Sequence, residues 1–257
     1  MDLNGAAAII SGGASGLGEA TVRDLAAHGA TVIVADLNEE RGKPLADEIG
    51  GVFVKTDVSD EQQVQAAVDA AVATGKPLRV VVNSAGIGWA NRTVNRDGSP
   101  HDLASYRKVI EVNLIGTFNL MRIGAAAIAK TEPVDEDGQR GVVVNTASVA
   151  ALEGQTGQVA YSASKGGIVG MTLPAARDLA AVGIRVNTIC PGIIDTPIYG
   201  FNANAEEFKA KLVAPVVFPK RMGTPAEFAH LVRSLIENDY MNAETVRFDG
   251  GIRFQPK

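Results

Sequence analysis

A tyrosine and a lysine, four residues apart, could carry out acid/base chemistry. Tyr161 and Lys165 occupy positions i and i+4, which puts both side chains on one face of a helix. A free tyrosine has a pKa of about 10 and is a poor base at neutral pH. A neighbouring ammonium group favours the phenolate and would bring that pKa towards the working range. Ser148, after a predicted strand, supplies a second hydroxyl. The pattern predicts proton transfer at a substrate oxygen.

A glycine-rich turn could hold a nucleotide. Gly12, Gly16 and Gly18 follow a short apolar strand in a G-x-x-x-G-x-G spacing and open a helix. Such a turn lets backbone approach a pyrophosphate and directs helix N-terminal N–H groups at the anion. The predicted cofactor contacts here are Gly12, Ser15, Gly16, Leu17 and Gly18.

An acidic residue ends the next predicted strand. Asp36 closes Thr31–Asp36, where a carboxylate can accept hydrogen bonds from both ribose hydroxyls of adenosine. It would repel a 2′-phosphate, so the sequence favours NAD over NADP. Arg41 lies too far along the following helix to bind such a phosphate. The alternative is a solvated carboxylate at a strand end.

Two later strand ends carry residues suited to the same ligand. Asp57 can accept from an adenine amino group while the next N–H contacts the ring, and a small Ala-Gly pair lets backbone approach the cofactor. The predicted contacts are Asp57, Val58, Asn83, Ser84, Ala85 and Gly86.

Strands alternating with helices must position these residues. This order predicts parallel βαβ units, and hence a Rossmann-type doubly wound α/β sheet of seven strands with helices on both faces, in one domain spanning 1–257. Ser59 and Gln62 resemble a capping box opening the third helix. The predicted strands are Ala6–Ser11, Thr31–Asp36, Val52–Thr56, Arg79–Asn83, Gly141–Thr146, Ile184–Cys190 and Glu244–Phe248.

Three irregular segments fall outside this alternation. Asn95–Asp102 and Thr131–Gly141 are polar and are predicted to be surface loops, which leaves open whether they contact a substrate. Residues of about 197–221 are rich in apolar side chains, including Phe201, Phe208 and Leu212. This stretch is predicted to be a lid over the substrate, with a subunit contact as the alternative.

Composition argues against several classes of protein. A net charge of −5 and a pI near 5.3 disfavour binding to nucleic acid or acidic lipid, so small molecules are the expected partners. A single cysteine excludes an intramolecular disulfide, and the histidines lack ligand spacing, so no metal is expected. No apolar run is long enough for a membrane span, and the N-terminal residues lack a targeting pattern, so a cytoplasmic location is expected.

Taken in order, these motifs identify a family. The glycine turn, the Asn-Ser-Ala-Gly segment, Asn113, Ser148, Tyr-x-x-x-Lys and the Pro191-Gly192 pair resemble the short-chain dehydrogenase/reductase family over nearly the whole chain. Ser84 stands where many members have a second asparagine.

The resemblance implies roles for individual residues. Tyr161 would take the alcohol proton as hydride moves to the nicotinamide, and Ser148 would bind the substrate oxygen. Lys165 would also bind the nicotinamide ribose, and Asn113 would hold a water that links the lysine to solvent. The alternatives are that Asn113 only interrupts a helix and that Ser148 only caps a turn. The implied contacts after the sixth strand are Pro191, Gly192, Ile194 and Thr196.

One branch of the family is especially similar. Gly138–Pro174 and Arg221–His230 resemble the type II 3-hydroxyacyl-CoA dehydrogenases, also described as 17β-hydroxysteroid dehydrogenases. This implies oxidation of L-3-hydroxyacyl-CoA to 3-ketoacyl-CoA, with the reverse reduction, by a homotetramer. A hydroxysteroid or another secondary alcohol is the alternative substrate. A non-catalytic NAD sensor is a further alternative, disfavoured because the tyrosine and lysine are both present.

Overall fold

The computed structural model describes residues 1–197 and 205–256. The strands form one parallel seven-stranded sheet in the order β3-β2-β1-β4-β5-β6-β7. The strands are β1 Ala7–Ser11, β2 Thr31–Asp36, β3 Val52–Lys55, β4 Leu78–Asn83, β5 Gly141–Thr146, β6 Ile184–Pro191 and β7 Thr245–Phe248. The helices are α1 Gly16–Ala27, α2 Glu39–Ile49, α3 Glu61–Ala73, α4 Leu103–Ile110, α5 Gly116–Ile128, α6 Val159–Ala180, α7 Ala205–Val213 and α8 Pro225–Glu237, with a π-helical turn at Glu111–Ile115 and a 3-10 turn at Val149–Ala151.

Apolar side chains cover both faces of the sheet, which explains why its strands are almost continuously hydrophobic. In β1, Ala8 and Ile10 join a core with residues of α1 and α8, including Phe228. Ala7 and Ile9 point the other way, into a core formed with α3 and α5. Burying each large aliphatic side chain contributes roughly 1.5–3 kcal/mol to folding. The two cores together hold the strand ends in fixed positions.

The strand order reverses between β1 and β4, because β2 and β3 lie on one side of β1 and the later strands lie on the other. In open parallel sheets the connections diverge at such a point and leave a crevice beyond the carboxyl ends of the strands. The predicted doubly wound fold is confirmed.

One local prediction is wrong. Ser59 and Gln62 do not form a capping box, because Asp60 is the N-cap of α3 and accepts hydrogen bonds from the N–H groups of Gln62 and Gln63. Ser59 instead donates to Asp57 through both its N–H and its hydroxyl. A carboxylate next to the helix displaced the hydroxyl one residue earlier from the capping role.

The irregular segments are more ordered than a surface loop requires. In 95–102, Val94 and Pro100 form an antiparallel bridge, and Asp102 caps α4. In 131–141, Gln139 is buried and accepts from Arg185. The predicted lid includes 198–204, Phe201 among them, which lie outside the described residues. None of the helices in the described ranges is long and apolar enough to cross a membrane.

Candidate active site

The turn between β1 and α1 is built from close backbone contacts. Gly12 has a φ of +63°, and a Cβ there would lie 2.8 Å from the Ala85 Cα. A Cβ on Gly18 would lie 2.0 Å from the Gly12 carbonyl oxygen. Only glycine fits at either position, because the obstructing atoms are backbone. Ser15, the N-cap of α1, makes no capping hydrogen bond, so its side chain leaves the first N–H groups of the helix without a partner.

Asp36 is held rigidly at the end of β2. Its two carboxylate oxygens accept from the N–H groups of Ala14, at 3.0 Å, and Asn38, at 2.8 Å. The residue lines the same cleft as the glycine turn, together with Leu37. A fixed carboxylate therefore stands beside the nucleotide-sized opening, as the sequence predicted.

The neighbouring strand end carries a second ordered carboxylate. Asp57 Oδ1 accepts from the Ser59 N–H at 2.9 Å and from its hydroxyl at 2.6 Å. The hydroxyl bond is the largest cause that lowers the pKa of Asp57 below its ordinary value. Asp57 and Val58 line the cleft beside Thr56. The aspartate stays ionised and can accept a hydrogen bond from a base.

The end of β4 brings backbone close to Lys165. The N–H groups of Ser84 and Ala85 both donate to Ser11 Oγ at 3.2 Å. A Cβ on Gly86 would lie 3.5 Å from Lys165 Nζ. Asn83 does not line the cleft, because it is buried and its amide donates to Asn145 Oδ1 at 2.9 Å.

The serine, tyrosine and lysine converge at the end of β5. The side chains of Ser148 and Tyr161 line the cleft together, and the serine hydroxyl is near enough to lower the pKa of the tyrosine. Lys165 Nζ donates to the Thr146 carbonyl at 2.8 Å and lies 5.8 Å from the centre of the Tyr161 ring. Ser148 also caps the 3-10 turn by accepting from the Ala150 N–H. It therefore serves the turn and faces the tyrosine at once, so the two interpretations of this serine are compatible.

Burial disfavours the charged forms of both Tyr161 and Lys165. It raises the pKa of Tyr161 above the ordinary value, and the hydrogen bond from Ser148 only partly offsets this. Burial also lowers the pKa of Lys165 from 10.5 to about 8. The expectation that the tyrosine pKa moves towards neutrality applies to the complex, because it rests on Lys165 together with an oxidised nicotinamide. In the protein by itself, desolvation by burial is the largest cause acting on the tyrosine pKa, and it disfavours the phenolate.

Asn113 lies in the π-helical turn and is fully buried. Its Oδ1 accepts from the Ile87 N–H at 2.8 Å, and its Nδ2 donates to the Ile87 carbonyl and to Ser164 Oγ. Ser164 in turn donates to the Tyr161 carbonyl at 2.7 Å. The asparagine does not line the cleft itself. It joins the loop after β4 to the helix that carries the tyrosine.

The loop after β6 reaches across to the glycine turn. The Gly192 N–H donates to the Phe248 carbonyl at 2.9 Å, and Ile194 pairs with Gly223. A Cβ on Gly16 would lie 3.4 Å from Thr196 Cβ. The predicted contacts Pro191, Gly192, Ile194 and Thr196 all line the cleft.

All these strand ends open into one cleft of about 840 Å³. Of the predicted site residues, only Asn83 and Asn113 are missing from its walls. Several other wall residues were not predicted. Leu37, Thr56 and Thr146 adjoin predicted strand ends and could have been found by that rule; Trp89, Gln155, Gln158 and Phe254 come from loops and the end of the chain, where no local pattern indicates them.

The apolar stretch after β6 contributes to this wall only in part. Leu212, in α7, lines the cleft. Val216 is instead buried in a small core with Met222 and Ile252, while Phe218 is 80% exposed. Among the described residues, the predicted lid is therefore divided between the cleft wall, a core and the surface.

Comparisons with known proteins agree with this arrangement. A family model described as "Enoyl-(Acyl carrier protein) reductase" matches residues 12–253. The chain is 51% identical to the 3-hydroxyacyl-CoA dehydrogenase type-2 of Homo sapiens, covering 99% of this chain and 97% of that protein. It is 46% identical to the Drosophila melanogaster protein of the same name, covering 99% and 100%. The crystal structure of 3-hydroxyacyl-CoA dehydrogenase type-2 from Mycobacterium avium is 52% identical, with a TM-score of 0.93 and 98% of each chain covered. The chain belongs to the short-chain dehydrogenase/reductase family and is an oxidoreductase.

Proposed function

We propose that this enzyme interconverts L-3-hydroxyacyl-CoA and 3-ketoacyl-CoA with NAD(H). The observation that carries the reaction type is the meeting of Ser148, Tyr161 and Lys165 in the cleft that also holds the glycine turn and Asp36. A proton-transfer group thus adjoins a nucleotide-sized site. The substrate class rests on the names of the relatives, which are about half identical over nearly their full length.

The cleft fits a nicotinamide dinucleotide. Glycine is required at 12 and 18, where any side chain would collide with backbone, and the N-terminus of α1 offers N–H groups to a pyrophosphate. Asp36 supports NAD over NADP, because its carboxylate is fixed and would repel a 2′-phosphate. When bound, the nicotinamide ring supplies the hydride acceptor and donor.

Tyr161 holds the proton that the reaction moves. Its phenolate takes the proton of the substrate alcohol in oxidation, and the resulting phenol returns that proton to the carbonyl oxygen in reduction. Ser148, whose hydroxyl lies near the same phenol, places the substrate oxygen beside it. Burial raises the pKa of Tyr161 and favours the protonated phenol, the form that acts as the acid in ketone reduction.

Lys165 supports the tyrosine and the cofactor. The lysine is buried against the Thr146 carbonyl, and its remaining protons are available to a nicotinamide ribose. Its cationic form favours the Tyr161 phenolate and assists oxidation. Asn113 lies behind Gly86, where it shapes the π-helical turn. We retain the hypothesis of a water at this turn that links Lys165 to solvent.

The substrate end of the cleft suits an acyl chain. Leu212, Phe254 and Trp89 provide apolar wall beside the catalytic residues. A steroid or another secondary alcohol would suit the same wall, so apolar character does not distinguish these substrates. The CoA head does, because its remote contacts contribute binding energy that a truncated thioester lacks.

The test compares three ketones with NADH as the reductant. Acetoacetyl-CoA, its pantetheine thioester and a 17-ketosteroid are assayed for kcat/KM under the same conditions. We expect the CoA ester to be the most efficient. Equal efficiency of the two thioesters, together with faster turnover of the steroid, would exclude the acyl-CoA assignment and leave the dehydrogenase assignment intact.

We also propose a homotetramer. Large apolar side chains are exposed on neighbouring helices: Ile115 and Phe118 lie where the π-helical turn continues into α5, and Leu173 lies on α6. Assembly of subunits would bury these side chains. The mass in solution, from light scattering, tests this. A cytoplasmic location stays a prediction, to be checked by cell fractionation.

A further inference from the structure

The C-terminal segment Ile252–Pro256 lies against the loop 152–158, which leads into α6. The N–H and the hydroxyl of Thr156 both donate to the Pro256 carbonyl, at 3.0 and 2.8 Å. Because Tyr161 lies in the first turn of α6, the C-terminal segment is attached to the approach of the catalytic helix.

A carboxylate holds the middle of this segment. Glu153 Oε2 accepts from the Phe254 N–H at 3.0 Å, and Oε1 accepts from Arg247 Nη1 at 2.7 Å. Arg247 also donates to the Ile252 carbonyl at 2.9 Å and pairs with Asp249 at 2.6 Å. A branched set of charged hydrogen bonds therefore fixes the backbone on both sides of Arg253.

The aromatic ring of Phe254 faces the substrate end of the cleft. It is half-buried, lines the cleft with Ser148 and Tyr161, and packs on the small core that contains Val149. Leu212 of α7 packs on the same core and lines the same wall. Since Val149 directly follows the catalytic serine, Phe254 lies on the side where the substrate carbonyl must enter.

We propose that Phe254 is a specificity-determining residue that limits the acyl chain, and that Glu153 is the positioning residue that holds it in place. The inference rests on the proposed activity on acyl thioesters. A large rigid ring occupies space that additional methylenes would need. Removing it leaves a cavity that a longer chain can fill, and each methylene that enters gains hydrophobic binding energy.

The test is Phe254→Ala, assayed with NADH on acetoacetyl-CoA and on 3-ketooctanoyl-CoA. We expect the ratio of kcat/KM for the long over the short substrate to rise about tenfold, the factor that roughly two buried methylenes contribute. Phe254→Leu should restore most of the original ratio. Tyr240→Ala is the matched control, because this aromatic side chain is 100% exposed and away from the cleft. An unchanged ratio in Phe254→Ala would overturn the proposal.

Glu153→Gln tests the positioning role. The amide keeps the size of the side chain but loses the charge that pairs with Arg247, so we expect a KM for acetoacetyl-CoA raised about threefold, a smaller change in kcat and an unchanged KM for NADH. A lower melting temperature with an unaltered KM would show that Glu153 only stabilises the fold.

Failure of this inference is distinguishable from failure of the proposed function. If the unmodified enzyme reduces acetoacetyl-CoA but the Phe254 ratio does not move, only the wall assignment is wrong. If the enzyme prefers another class of ketone, the same variants are compared on a small and a large member of that class. An unchanged ratio of kcat/KM for the large over the small ketone would again overturn the proposal for Phe254.

Discussion

The two ends of the cleft are built in different ways. At the cofactor end, consecutive strand ends bring backbone against backbone, as at Gly12 and Ala85 or at Gly18 and Gly12. At the substrate end, the wall consists of side chains from distant segments, with Trp89, Gln158, Leu212 and Phe254 among them. Backbone contacts tolerate only particular residue types, whereas a side-chain wall tolerates many. Substitutions at the cofactor end should therefore impair cofactor binding, whereas substitutions at the substrate end should mainly alter substrate specificity.

Tyr161, the proposed acid/base, lies where the two ends meet, so its removal should have the largest effect. Tyr161→Phe removes the proposed proton carrier while preserving the ring, and kcat should fall by about 100-fold or more. NADH should still bind, as measured by quenching of the fluorescence of Trp89, the single tryptophan, which lies in the cleft wall. Near-normal turnover would assign the proton transfer to another group.

The cofactor end is tested by adding one methyl group. Gly18→Ala places a Cβ against the Gly12 carbonyl, at a position 2.0 Å away, so the turn must shift. We expect NADH affinity to fall by about tenfold or more, with a lower melting temperature. Gly170→Ala is the control, because a Cβ at this position in the middle of α6 would meet nothing within 4 Å. Alanine is also favoured over glycine inside a helix by roughly 1 kcal/mol. Equal effects of the two substitutions would refute the argument from close packing.

Cofactor choice should depend on one carboxylate at this end. The enzyme should prefer NAD over NADP by at least about tenfold in kcat/KM, and Asp36→Ala should reduce that preference, mainly by weakening NAD. The measurement is the ratio of kcat/KM for the two cofactors in both proteins. Equal use of NAD and NADP by the unmodified enzyme would contradict the role given to Asp36.

The smallest expected effect concerns the pH dependence of stability. Because the pKa of Lys165 is lowered to about 8 in the fold from 10.5, the unfolded chain binds more protons between these values. The contribution of Lys165 to stability should therefore rise as the pH increases through this window. Melting temperatures at pH 7.5 and 9.5 test this, with Lys165→Met as the reference. Between pH 7.5 and 9.5 the melting temperature of the unmodified protein should rise relative to that of the variant. A difference in melting temperature that is the same at both pH values would show that the lysine is not desolvated.

The sequence-based predictions also fared differently at the two ends of the cleft. The glycine turn, Asp36 and Asp57 were predicted because each lies at or just after the end of a strand, and the carboxyl ends of parallel strands must share one edge of the sheet. The capping box at Ser59 was wrong because two polar residues competed locally for the same N–H groups. The lid was only partly correct, since apolar composition does not distinguish a cleft wall from a core, as Leu212 and Val216 illustrate.

The sequence alone determined the sheet and the place of the cleft, and it indicated Tyr161, Ser148 and Lys165 as the candidate catalytic residues. These properties depend on local spacing and on the order of strands and helices, both of which are written in consecutive residues. Only the tertiary structure decided that burial raises the pKa of Tyr161, and that Asn113 binds the loop after β4. It also decided that Phe254 reaches the substrate end. Desolvation and long-range contact are sums over groups far apart in the chain, and no local pattern of residues contains them.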